Sequence, residues 1–233
     1  MSNAAYSYAY KQQWNDSIIQ LFVNNNREES KEYHLSDKYS VRMTEYTGKV
    51  GEYTRYGSEC TLVDCTGKTV YTWRSIDRRA NFYKIINHSN GNEYLIFRQD
   101  LYGYSVLCIA NQQAMQFFPK DSLNYSEETF IWTDVDYNSI NNTLAVSGCY
   151  WAAPSGIHLF TFNNPMDEHQ KFIDFIECFD GGYDSYCDDV DFVSWTNGDL
   201  HIKRLNHETN LEESIVITQA EYMAWLRDKG KEL

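Results

Sequence analysis

Proline is scarce in this sequence, three residues in 233, and no low-complexity tract interrupts the chain. Nothing in its composition marks a linker, so residues 1–233 are expected to form a single domain. Cationic side chains are also in the minority. Twenty Lys and Arg stand against 33 Asp and Glu, a formal net charge of −13. That average field repels a phosphate backbone, which excludes nucleic acid as the expected partner. The local exception, Arg74, Arg78 and Arg79 with Lys84 nearby, reads as a solvated turn.

Long apolar runs are missing too. No stretch approaches a membrane span, and "MSNAAYSYAYKQQWNDSIIQLFV" lacks the basic start and unbroken apolar core of a secretion signal. The expectation is a cytoplasmic protein without a membrane partner. Sequons at Asn15, Asn87, Asn124 and Asn141 then carry no meaning. Cysteines 60, 65, 108, 149, 178 and 187 form no CxxC pair and no Cys/His metal spacing. In a reducing compartment they are expected to be free thiols acting as small hydrophobes. No GxSxG, phosphate-binding loop or dinucleotide fingerprint occurs, so no cofactor is implied.

What the sequence has in quantity is aromatic and β-branched residues. Hydrophobic residues make up 42% and aromatics 16%, which favours a folded chain over a disordered one. They come in short stretches bounded by turn residues, and these predict strands at 39–47, 50–56, 59–65 and 69–75. Further strands are expected at 82–88, 93–98, 104–110 and 113–118, then at 130–137, 143–150, 157–162 and 172–178. The last set is 190–196, 199–205 and 213–217. Thr66-Gly67, Asn90-Gly91, Asn141-Asn142 and Asn197-Gly198 supply the tight turns.

Two of these stretches repeat. "TDVDYNSINNTLAV" at 133–146 matches "DDVDFVSWTNGDLHI" at 188–202 in an Asp-Val-Asp-aromatic element, an Asn-rich turn and an alternating strand. Asp134 and Asp189 are 55 residues apart, and Leu144 and Leu200 are 56 apart. "KIINHSNGNEYLIF" at 84–97 is a looser third copy. A period near fifty made of four strands resembles the β-propeller repeat proteins in architecture. The resemblance implies an all-β, propeller-like set of about four four-stranded antiparallel units, at about 38–76, 82–119, 130–178 and 189–217. A two-sheet β-sandwich is the alternative.

The last unit is one strand short. "SIIQLFV" at 17–23 could close it, whereas Trp14, Ile18, Ile19 and Phe22 would equally mark a helix over 10–23. At the other end, Thr218 and Glu221 have capping-box spacing before an apolar stripe of Tyr222, Trp225 and Leu226. That predicts a helix over 219–229.

Candidate chemistry centres on three places. In "GCYWAAPSG" at 148–156, Cys149 precedes a tryptophan as a catalytic cysteine can. It ends a strand, however, where no helix dipole can hold a thiolate, so a structural role is expected. "DGGYDSYCDDVD" at 180–191 is rich in aspartate, and Asp180, Asp184 and Asp188 are the ligands if calcium binds. Their spacing departs from the EF-hand loop, and no metal is expected. Asp134 with Asp136, and Asp189 with Asp191, each project from one face of a strand. As catalytic residues they would serve a carbohydrate-active hydrolase. Because the element repeats, the expected role is instead to accept hydrogen bonds from neighbouring turn amides.

The functional expectation is therefore a non-enzymatic binding or protein-interaction module with a protein or small-ligand partner. One specific form is an acidic protein that neutralises a basic partner. Tyr102, Tyr104, Tyr150, Trp151, Tyr183 and Tyr186, on three loops, are the candidate contact residues, since Tyr and Trp give contact area at little entropic cost.

Overall fold

The computed structural model describes residues 19–75, 82–117, 129–167, 170–178, 189–206 and 209–232. The protein is all-β, with four antiparallel sheets and, among the described residues, one α-helix. The described residues cluster into two compact units. The first takes residues up to 87 with 92–117, and the second takes 88–91 with 129–232.

In the first unit, β1 (Arg27–Ser36), β2 (Tyr39–Val50), β3 (Tyr53–Asp64) and β4 (Thr69–Ser75) pair in sequence order. The sequence pattern misses β1 because its residues are nearly all exposed or half-exposed. From Arg27 to Glu32 this edge strand is wet on both faces and shows no alternation, while Tyr33 and Leu35 pack on the core. The two strands expected at 50–56 and 59–65 are one continuous β3. Gly57 does not break it. A Cβ at Gly57 would lie 2.7 Å from the Leu21 side chain and 2.9 Å from that of Phe22, so glycine is there for close approach. Leu21 is buried, and Phe22 meets Tyr46 edge-on at 5.1 Å. Residues 19–23 are consequently turn and bend, neither the closing strand nor the helix expected there. Residues 1–18 lie outside the described residues.

The second sheet of this unit is β5 (Tyr83–Asn87), β6 (Glu93–Phe97), β7 (Tyr104–Cys108) and β8 (Gln113–Phe117). Val41, Cys60, Leu62 and Trp73 of the first sheet pack with Leu95, Phe97 and Leu107 of the second. Both sheets thus bury one face in a shared core.

The second unit holds β9 (Ile131–Asn138), β10 (Thr143–Cys149), β11 (Ser155–Thr161) and β12 (Lys171–Asp174), paired in that order. A further sheet is β13 (Asp189–Thr196), β14 (Asp199–Asn206) and β15 (Leu211–Ile217). Helix α1 (Gln219–Lys229) follows, and the two-residue β16 (Lys231–Glu232) then pairs with β12. The capping box forms as expected: Thr218 Oγ1 accepts from the Glu221 amide, and Glu221 Oε2 accepts from the Thr218 amide at 2.8 Å. Tyr222 and Leu226 of α1 pack into one core with Ala145, Leu159 and Ile173 of the larger sheet and Val190, Leu200 and Ile202 of the smaller. No helix of the described residues is long and apolar enough to cross a membrane.

Candidate functional site

The least generic stretch of sequence, residues 148–156, joins β10 to β11, and the register of that hairpin decides what each residue can do. Gly148 pairs with Gly156, and Val146 pairs with His158. These four share one face of the sheet, because alternate residues of a strand point the same way. Cys149 pairs with Ser155 and points to the other face. His158 and Cys149 therefore project from opposite faces of the hairpin. Among the described residues Cys60, Cys65, Cys108, Cys149 and Cys178 are free thiols. Burial pushes the Cys60 thiol up to about 12.

On the face with the two glycines lies Phe130. Its ring stacks on the His158 imidazole, with centroids 3.7 Å apart and planes 14° from parallel. Phe172 also stacks on the imidazole, with centroids 5.2 Å apart and planes 22° from parallel. His158 pairs across strands with Asp174, and its Nε2 lies 3.5 Å from Asp174 Oδ2. Tyr150 donates its hydroxyl hydrogen to the same oxygen at 3.2 Å, and its Oη is 3.4 Å from His158 Nε2. With Tyr150 donating to Asp174, the imidazole N–H must be the donor to Tyr150. The result is a Tyr-His-Asp cluster, and Asp174 Oδ1 also accepts the Ile176 amide at 3.1 Å. His158 and Asp174 are buried, and Tyr150 is half-buried. These contacts tie Tyr150, at the start of the turn, to β11 and β12.

The turn closes when Ala153 donates its amide to the Tyr150 carbonyl at 3.1 Å. Ala152 takes the left-handed φ of 57° that usually falls to glycine. Trp151 is thereby thrown outward and is 67% exposed. The far end of the turn is held from the neighbouring sheet. Asp189 Oδ1 accepts the Ser155 amide at 2.7 Å and its hydroxyl at 3.1 Å, and Ser155 Oγ also lies 2.9 Å from Asp191 Oδ1. Hydrogen bonds to a carboxylate are worth about 1.5–3 kcal/mol each, enough to hold a short turn in one conformation.

The other candidate residues are placed as follows. Asp134 accepts the amide of Val135 at 2.8 Å, and the Asp136 backbone carbonyl accepts the Trp195 indole N–H at 3.1 Å. Val135 and Val190, each between its two aspartates, are both buried. Tyr102, in the first unit, is half-buried. Tyr104, in the same unit, is 2% exposed and stacks on Phe117 at 4.7 Å, which leaves it no face for a partner. Tyr183, Tyr186, Asp180, Asp184 and Asp188 lie outside the described residues. Among the described residues no three His, Cys, Asp or Glu side chains gather as metal ligands. His158, Asp174 and Phe130 escape sequence reasoning because only the strand register brings them to one face. The available signal was the pair of glycines eight residues apart around a Pro-containing turn.

Fold and site together define an all-β protein of antiparallel sheets that presents a rigid aromatic turn. No known protein family matches the chain, and no curated protein matches it.

Proposed function

We propose that this protein is a non-enzymatic binding module of the cytoplasm whose partner is a basic protein surface. Its sheets would serve as blades of a small propeller that presents the turn at Tyr150–Pro154. The observation that carries the reading is Trp151. A large aromatic side chain stands in solvent on a turn clamped at one end by Asp174 through Tyr150 and at the other by Asp189 and Asp191 through Ser155. Natural interfaces concentrate their energy in such rigid aromatic anchors, and a pre-formed turn avoids the entropy cost of ordering on binding. An exposed indole face suits Arg or Lys, which it meets by cation–π contact. The net charge of −13 would steer a basic partner toward it.

The hydrolase alternative has less in its favour, since Asp189 and Asp191 already engage Ser155. The test is a photo-crosslinker placed at position 151 and exposed to native lysate at low and high salt. A basic protein captured at low salt, and lost at high salt, supports the reading. Capture that ignores salt, or none at all, overturns it. Asp189→Asn with wild-type stability and abolished sugar-polymer cleavage would establish the hydrolase instead.

A further inference from the structure

The sheet β13–β14–β15 has three strands where the other sheets have four or five. Among the described residues β15 has a neighbour on one side only, and it pairs with β14 through seven consecutive residues without a bulge. Exposed edges are ordinarily blunted by proline, lysine or a bulge. β1 carries register shifts at Arg27/Ser30 and His34/Ser36, and β9 carries one opposite Ser147/Gly148. β15 has no proline, lysine or bulge, and its charged side chains are Glu212 and Glu213. Its edge instead exposes Leu211 at 62% and Val216 at 51%, with Glu212 and Glu213 between them. The segment that the sequence offered as a closing strand does not supply one in its described part, because Leu21 and Phe22 pack beside Gly57 and Tyr46.

We infer that β15 is a docking edge for an extended basic strand of a partner protein, added antiparallel as the fourth strand of this sheet. Main-chain hydrogen bonds would supply affinity and the side chains register. Opposite Ile215 and Ile217 the added strand carries apolar residues, and opposite Glu212 and Glu213 it carries Lys or Arg. Cross-strand pairs of opposite charge stabilise, and like charges destabilise. Lys203 of β14 pairs with Glu212 at 2.7 Å, an instance of the same opposite-charge pairing across strands. An acidic strand, including a second copy of β15 aligned glutamate to glutamate, is rejected by the same charges. The inference shares with the preceding reading only the basic character of the partner, and it uses a different surface.

The test is hydrogen exchange of the full chain with two synthetic peptides, Val-Thr-Val-Thr-Lys-Lys-Val and its counterpart with Glu in place of both Lys. The expected result is that the lysine peptide slows exchange of amides within 211–217 by about tenfold, while the glutamate peptide does not. The Glu212→Lys/Glu213→Lys variant, altered only at exposed side chains, should reverse that preference. Trp151→Ala should leave it unchanged, which separates this site from the turn. Three results overturn the proposal: amides of 211–217 already protected like those of β14 in the free chain, both peptides acting alike, or loss of the effect in Trp151→Ala.

Discussion

Gly148 and Gly156 face one another across β10 and β11, and the ring of Phe130 lies against both. A Cβ at Gly148 would stand 2.1 Å from the Ile131 carbonyl oxygen and 2.6 Å from the Phe130 ring, whereas one at Gly156 would stand 3.7 Å from that ring. The glycine pair is thus asymmetric. One member is required by a backbone contact, and the other merely leaves ordinary space. Through Phe130 the pair controls the stack on His158 and hence the clamp on Tyr150.

Gly148→Ala should therefore destabilise by roughly 2–4 kcal/mol, because backbone must move to admit the methyl group. Gly156→Ala should cost less than about 1 kcal/mol. Urea unfolding of both variants makes the comparison, and equal losses would disprove the asymmetry.

At Ala152 the backbone sits at φ 57°, where a Cβ is strained. Replacement by glycine should raise stability by about 0.5–1 kcal/mol, since the relief of strain exceeds the added freedom of the unfolded chain. A rise of a few degrees in melting temperature is the expected reading, and a fall counts against the turn as described.

Val190 lies in the core shared by both sheets of the second unit, whereas Val193 on the same strand is exposed. Val190→Asp should cost about 3 kcal/mol or more, because an unpaired charge is buried, and Val135→Asp should behave alike. Val193→Asp is the control and should change stability by less than about 0.5 kcal/mol. Similar effects at all three positions would contradict the assigned faces.

Asp100, in the connection between β6 and β7, accepts the Leu101 amide at 2.6 Å, and burial pushes its carboxyl up to about 6. Its folded pKa lies above the unfolded one, so between about pH 4 and pH 6 the folded chain holds a proton that the unfolded chain has released. This group's contribution to stability is therefore greatest below that window and is lost as pH rises through it. Asp100→Asn keeps the acceptor and removes the charge, and should add up to about 3 kcal/mol at pH 7 while flattening stability between pH 4 and 6. Denaturant midpoints across that range check the sign, and a loss at pH 7 would refute it.

Some features are legible without the structure because they are local. The helix over 219–229 follows from Thr218 and Glu221, whose reciprocal hydrogen bonds need only four consecutive residues. The turn at Asn197-Gly198 follows from two residues that tolerate positive φ, 53° and 93°. The all-β class follows from alternation, which is strong wherever one face of a strand is buried. Where that condition lapses, legibility lapses with it. β1 is exposed from Arg27 to Glu32 and shows no alternation there, so it is missed, whereas β10 is found although its first four residues are all buried. The tertiary structure alone decided the site. His158 meets Asp174 only through the register of β11 on β12, Phe130 reaches His158 only across the paired glycines, and Asp189 finds Ser155 only from another sheet. Each of these contacts depends on how distant strands align, and a shift of one residue would turn every one of those side chains to the opposite face.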